Sequence, residues 1–191
     1  MRKWLLAGIA LAALLAGWRP VPKEPEGLAL VRVLGVDGAG PVTLTAVCGG
    51  EDQEGSQSRG QCTGENFEDA LEKAPWSGVE ELSLTSVTYL IAGWDVDLES
   101  ALLAALRDEE LGANVAVWLA QGGAAELLDG CADPALALEL LERQGVRGPT
   151  VVEALAALYG ENGLRLPLLT AGEDGLTLID WAEWRSVHES R

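Results

Sequence analysis

Tyr89-Leu90-Ile91-Ala92-Gly93-Trp94-Asp95-Val96-Asp97-Leu98-Glu99-Ser100-Ala101-Leu102-Leu103-Ala104-Ala105-Leu106-Arg107 is the stretch that decides the fold. The apolar run at its start closes a strand read over 82–91, with Leu82, Leu84 and Ser86 on one face. Residues 93–97 form a turn. Leu98, Leu102, Ala105 and Leu106 then share one face at helical spacing, so 98–107 reads as a helix. Residues 114–119 alternate and read as the next strand. Strand, helix and strand in succession place this part of the chain in a layered α/β arrangement.

Outward from there the same signals recur. Residues 28–36 and 42–48 read as a hairpin around the turn cluster Asp37-Gly38-Ala39-Gly40-Pro41. Residues 49–64 hold Gly, Ser, Glu and Gln, with Cys62 as the apolar exception, and are expected to be a mobile polar loop. A short helix is expected over 67–73, capped by Thr63 or Asn66. After 119 come a helix over 124–128 and a second to Arg143 opened by Asp133-Pro134. A third follows to Tyr159, opened by the capping-box spacing of Thr150 and Glu153. Two closing strands, 166–170 and 176–181, flank Glu173-Asp174-Gly175. The fold class expected is α+β (mixed α/β): a mixed sheet of about six strands with helices packed on it, in one domain.

Composition narrows the function. The 191 residues include 13 Lys and Arg against 30 Asp and Glu, a net charge of −17. Such a chain repels phosphate backbones, so no nucleic-acid partner is expected. Its single histidine, His188, rules out a multi-histidine metal site and a histidine-based triad away from the C-terminal tail. Three cysteines are too few for a disulfide scaffold, although Cys48 and Cys62 flank the expected loop and are a possible pair after export, with Cys131 left over.

The first residues form a leader. Arg2 and Lys3 precede an uncharged apolar run over 4–17, and Arg19, Pro20, Pro22, Lys23 and Pro25 follow it. Four of the 13 bases but only two of the 30 acids precede Gly27, the asymmetry of an exported chain. The organisation expected is a signal sequence or short membrane anchor over 1–18, a Pro-rich linker over 19–27, the folded domain over 28–185 and a tail over 186–191. Leu15-Ala16-Gly17 opens a lipobox, but Trp18 stands where the lipidated cysteine would be, so no lipidation is expected.

Candidate chemistry is sparse. Asp95-Val96-Asp97 has the spacing of a two-carboxylate metal site. A helix cap explains Asp97 better. Gly35-Val36-Asp37-Gly38-Ala39-Gly40 lacks the order of a phosphate loop and has no helix after it. Glu51-Asp52-Gln53-Glu54 reads as a solvated acidic run. No catalytic residue, metal or cofactor is assigned. Of the five body tryptophans, Trp76, Trp94, Trp118, Trp181 and Trp184, at least three are expected as core filler. Trp94, Trp181 and Trp184 are the candidates for an interface.

Six motifs, in order, resemble the Ger(x)C spore germination proteins. Residues 28–37, ending Gly35-Val36-Asp37, look like that family's first strand. Asn66-Phe67-Glu68-Asp69-Ala70-Leu71 resembles its first helix, and Val87-Thr88-Tyr89-Leu90-Ile91-Ala92-Gly93 its apolar strand ending in glycine. Residues 106–115, with Arg107-Asp108, 122–128, with Gly122-Gly123, and Leu166-Pro167-Leu168 complete the series. The resemblance spans the family's N-terminal domain. A position before the apolar strand that is often histidine there is Ser86 or Thr85 here. The resemblance implies a non-enzymatic C-type subunit of a nutrient germinant receptor. It would lie on the extracytoplasmic face of the spore inner membrane, associate through its N-terminal segment and work with A- and B-type membrane subunits. The alternatives are a free-standing exported domain that binds a small ligand, and an exported enzyme using Asp37, Asp95 and Asp97.

Overall fold

The structure, a computed structural model, describes residues 28–51, 57–72, 76, 81–161, 163–172 and 175–184. The leader, the linker, the tail, Trp18 and residues 52–54 of the acidic run lie outside the described residues. Eight strands and five helices are present among the described residues. The strands are β1 Leu28–Asp37, β2 Val42–Glu51, β3 Gln57–Gly64, β4 Glu81–Ser83, β5 Tyr89–Ala92, β6 Ala116–Ala120, β7 Leu164–Gly172 and β8 Gly175–Trp184. The helices are α1 Phe67–Glu72, α2 Leu98–Arg107, α3 Ala124–Asp129, α4 Pro134–Arg143 and α5 Val151–Leu158. This is the α+β single domain expected. No described helix is long and apolar enough to cross a membrane.

The sheet runs β3-β2-β1-β5-β6-β7-β8, with β4 alongside the start of β1. Its centre is parallel, from β1 through β5 and β6 to β7. Antiparallel strands close both sides, β2 and β3 at one and β8 at the other. Helices cover both faces, so the central strands must be apolar throughout rather than alternating. Every residue of β5 and of β6 is buried. One core layer joins the sheet to α1, α2 and α5 through Phe67, Leu98, Leu102, Ala154 and Leu155. The other joins it to α3 and α4 through Leu128, Leu138 and Leu141, with Trp118 in its middle.

Two bulges turn the strand alternation over. In β1 the register passes from Val31 opposite Cys48 to Val33 opposite Val47, which leaves Arg32 extra. Val31 therefore packs in the first layer and Val33 in the second. In β8 the register passes from Leu178 to Asp180 and leaves Ile179 extra. Leu176 and Leu178 then join the second layer, while Ala182 and Trp184 join the first.

Two sequence expectations are corrected. Residues 49–64 are not a loop throughout: β2 continues to Glu51, and β3 pairs with it from Gln57 onward. The inward positions of β3 are Gly60, Cys62 and Gly64, so the strand shows no hydropathy signal. Those small residues are required because α1 lies directly on them. A Cβ on Gly64 would come within 2.3 Å of the Ala70 amide nitrogen. The strand read over 82–91 is split into β4 and β5. β1 pairs with β4 up to Leu30 and with β5 from Val33, and local bonds hold the residues between the two strands. Val87 N–H donates to Leu84 O at 3.0 Å, Ser83 and Thr85 share a hydroxyl bond of 2.8 Å, and Leu84 N–H donates to Glu110.

The helix ends are set by the caps the sequence offers. Asn66 accepts from Asp69 N–H, Asp133 from Leu136 N–H, and Thr150 and Glu153 form both bonds of a capping box. Gly64→Ala should destabilise the domain by about 1–3 kcal/mol, because the obstacle is helix backbone. Urea unfolding would measure this, and an unchanged midpoint would show that α1 does not press on β3.

Candidate functional site

β1, β5 and β6 end level with one another, with Val36 beside Ala92 and Ala92 beside Leu119. The chain leaves β5 towards α2 on one face of the sheet and leaves β6 towards α3 on the other. In open α/β sheets a divergence of this kind is where ligand crevices form. Here backbone hydrogen bonds tie the diverging strand ends together. Gly93 N–H donates to Val36 O at 2.7 Å, and Trp94 N–H donates to Gly122 O at 2.9 Å.

Asp37 completes the closure. α3 has Gly123 at its N-cap, which has no side chain to offer. The Asp37 carboxylate takes that role from the end of β1, accepting from Ala124 N–H at 2.5 Å and Ala125 N–H at 2.8 Å. A carboxylate there also meets the positive end of the helix dipole. It sits so close to Gly93 that a Cβ at that position would lie 2.2 Å from Asp37 Oδ1.

The other acids of the enzyme hypothesis are separately employed. Asp95 Oδ1 accepts from Gly38 N–H at 3.2 Å and ties down the β1–β2 turn. Asp97 is the N-cap of α2, accepting from Ser100 N–H and from its hydroxyl. A cap of this type contributes about 1 kcal/mol. Among the described residues no group of three metal-ligating side chains comes together.

The three candidate interface tryptophans are not one patch. Trp94 is 56% exposed and meets Trp184 edge to face, with centroids 6.5 Å apart. Trp184 leans on the first core layer. Trp181 lies opposite Pro167 and faces the other side of the β7–β8 hairpin, where the Arg165 guanidinium covers its ring at 5.8 Å. Trp76 and Trp118 are buried, two core tryptophans rather than the three or more expected, because Trp181 and Trp184 on the edge strand β8 are half-buried and Trp94 is exposed. The corner beside Trp94 is braced by a contact that the sequence did not reveal: Tyr159, exposed at the end of α5, donates its hydroxyl to Glu99 in the first turn of α2 at 2.6 Å.

Cys48, Cys62 and Cys131 are all buried and all free. Cys62 lies opposite Leu44 and donates its Sγ–H to Ala70 O, while Cys48 lies opposite Val31, so the pairing of Cys48 with Cys62 is not formed. Burial raises all three thiols and takes Cys62 to about 11. Neutral thiols are poor nucleophiles.

No family model matches the chain, nor does any curated protein or solved structure.

The thiols carry a pH dependence. A raised pKa means that the folded state holds its proton where the unfolded state releases it. The contribution is complete below the unfolded thiol value of 9.0 and is lost as pH rises through about 11. Tyr89, raised to about 12 first by burial and then by Glu142, extends the loss upward. Denaturant titrations across this range should show stability falling only above the unfolded thiol value. All three cysteines should resist an aromatic disulfide reagent in the native state and react in urea. Rapid native labelling would contradict the buried, protonated thiols.

Proposed function

We propose that this chain is a non-enzymatic, extracytoplasmic subunit like the C component of a nutrient germinant receptor, acting in spore germination by assembly with A- and B-type membrane subunits. One observation carries this reading. Three motifs of the resemblance, far apart in sequence, meet at one point. Asp37 ends the first, Ala124 and Ala125 belong to the fifth and donate their N–H groups to its carboxylate, and Gly93, which ends the third, makes room for it. A set of unrelated short matches has no reason to converge on one hydrogen-bond cluster.

Three further features are in keeping with it. The acids proposed for catalysis are engaged as caps and turn anchors. The Trp94–Trp184 corner offers partly exposed aromatic surface of the kind that anchors protein interfaces. The basic apolar leader would hold the domain at the membrane with Trp18 in place of a lipidated cysteine.

Cross-linking and co-purification of a C-terminally tagged chain from membranes of sporulating cells tests this assignment. Recovery with A- and B-type subunits is expected, and Trp94→Ala should reduce it. Recovery alone, or only in the soluble exported fraction, would overturn it.

A further inference from the structure

A shallow groove of about 450 Å³ lies beside the first half of β1. Leu30, Arg32, Gly49, Ser86 and Thr88 line it. Arg32 is the bulged residue of β1, and bulges re-aim a side chain away from the regular ladder. Its backbone carbonyl accepts from Thr88 N–H at 3.0 Å, and its Nε–H donates to Thr88 Oγ1 at 3.5 Å. The guanidinium is thus held by its inner edge, with both terminal amino groups unpaired among the described residues.

Four other described arginines are engaged. Arg59, Arg107 and Arg143 each pair with a carboxylate, and Arg165 covers Trp181. Arg32 and the exposed Arg147 have neither kind of partner among the described residues, and of the two only Arg32 lines a groove. The groove is also shaped for it. A Cβ on Gly49 would come within 2.8 Å of Arg32 Cγ, so the absent side chain gives the arginine stem its path.

The lining specifies a ligand class. A guanidinium fork matches a planar carboxylate with two parallel bonds. The Ser86 hydroxyl supplies a further donor. Leu30, 44% exposed, offers apolar surface for a short chain. Among the described residues Arg32 is the one cation in the lining, so nothing there offsets a second negative charge on the ligand. We propose that this groove binds a small aliphatic monocarboxylate, with Arg32 forking the carboxylate and Leu30 covering the chain. The inference is independent of the receptor reading.

Titration of the isotopically labelled protein with hexanoate, followed by amide and arginine Nε resonances, tests it. Shifts confined to Leu30, Arg32, Gly49, Ser86 and Thr88 are expected, with acetate weaker and inorganic phosphate weaker still. Arg32→Gln should lower hexanoate affinity about tenfold or more, as loss of a charged hydrogen-bond pair does. Arg143→Gln, on an exposed ion pair, should leave it unchanged. If Arg32→Gln loses its dispersed spectrum, Arg32→Lys replaces it, keeping the charge and losing the fork, and weaker binding is again expected. Absence of shifts, equal shifts at Arg59, Arg107 and Arg165, phosphate binding as well as hexanoate, or full affinity in the arginine variant would each overturn the proposal.

Discussion

The bond from the Ala124 and Ala125 amides to the Asp37 carboxylate holds the carboxyl edge of the sheet together. It joins the end of β1 to the start of α3, 87 residues away in the chain. It stands over Gly93, so it also fixes how closely β5 approaches. With Gly123 at the N-cap, α3 has no local means of satisfying its first amides, and helix ends cannot leave such donors unpaired in a partly buried place. Its packing against the sheet through Leu127 and Leu128 therefore depends on a residue outside the helix. A switch point that would otherwise open as a crevice is closed by the backbone and this one side chain.

That closure shapes the functional account. Two surface features stand out among the described residues: the corner where Trp94 meets Trp184, and the groove around Arg32. Both are consequences of sheet geometry. The first arises because the β8 bulge at Ile179 turns Trp184 onto the side of the first core layer. The second lies where Arg32 is the extra residue in the β1–β2 register and β1 passes from pairing with β4 to pairing with β5.

The helices were legible because their signals are local. Asp133-Pro134, the Thr150–Glu153 box and the spacing of Leu98, Leu102 and Ala105 each act within one or two turns, and each appears as read. β3 was hidden because its buried positions are glycines and a cysteine, small residues demanded by α1, which hydropathy cannot register. The split of the 82–91 segment was hidden because it lies in the pairing with a distant strand, β1, which takes β4 up to Leu30 and β5 from Val33. In the candidate site the same division holds. Asp97 was readable as a cap because its partner is three residues away. The role of Asp37 was not readable, though a helix beginning at Gly122-Gly123 without a side-chain cap was the one signal that something distant must supply it. The separation of Trp181 from Trp184 follows from strand alternation, whereas the meeting of Trp184 with Trp94 is a long-range contact that spacing does not encode.

Hydrogen exchange of the backbone amides in the unaltered protein and in Asp37→Ala tests the dependence of the carboxyl edge on Asp37 most directly. The expected result is strong protection of Ala124 and Ala125 in the unaltered chain. The substitution should remove it through α3 and at Trp94, while α1 and β2 keep theirs. Protection of α3 that survives the loss of Asp37 unchanged would contradict the account, and the closed switch point would need another cause.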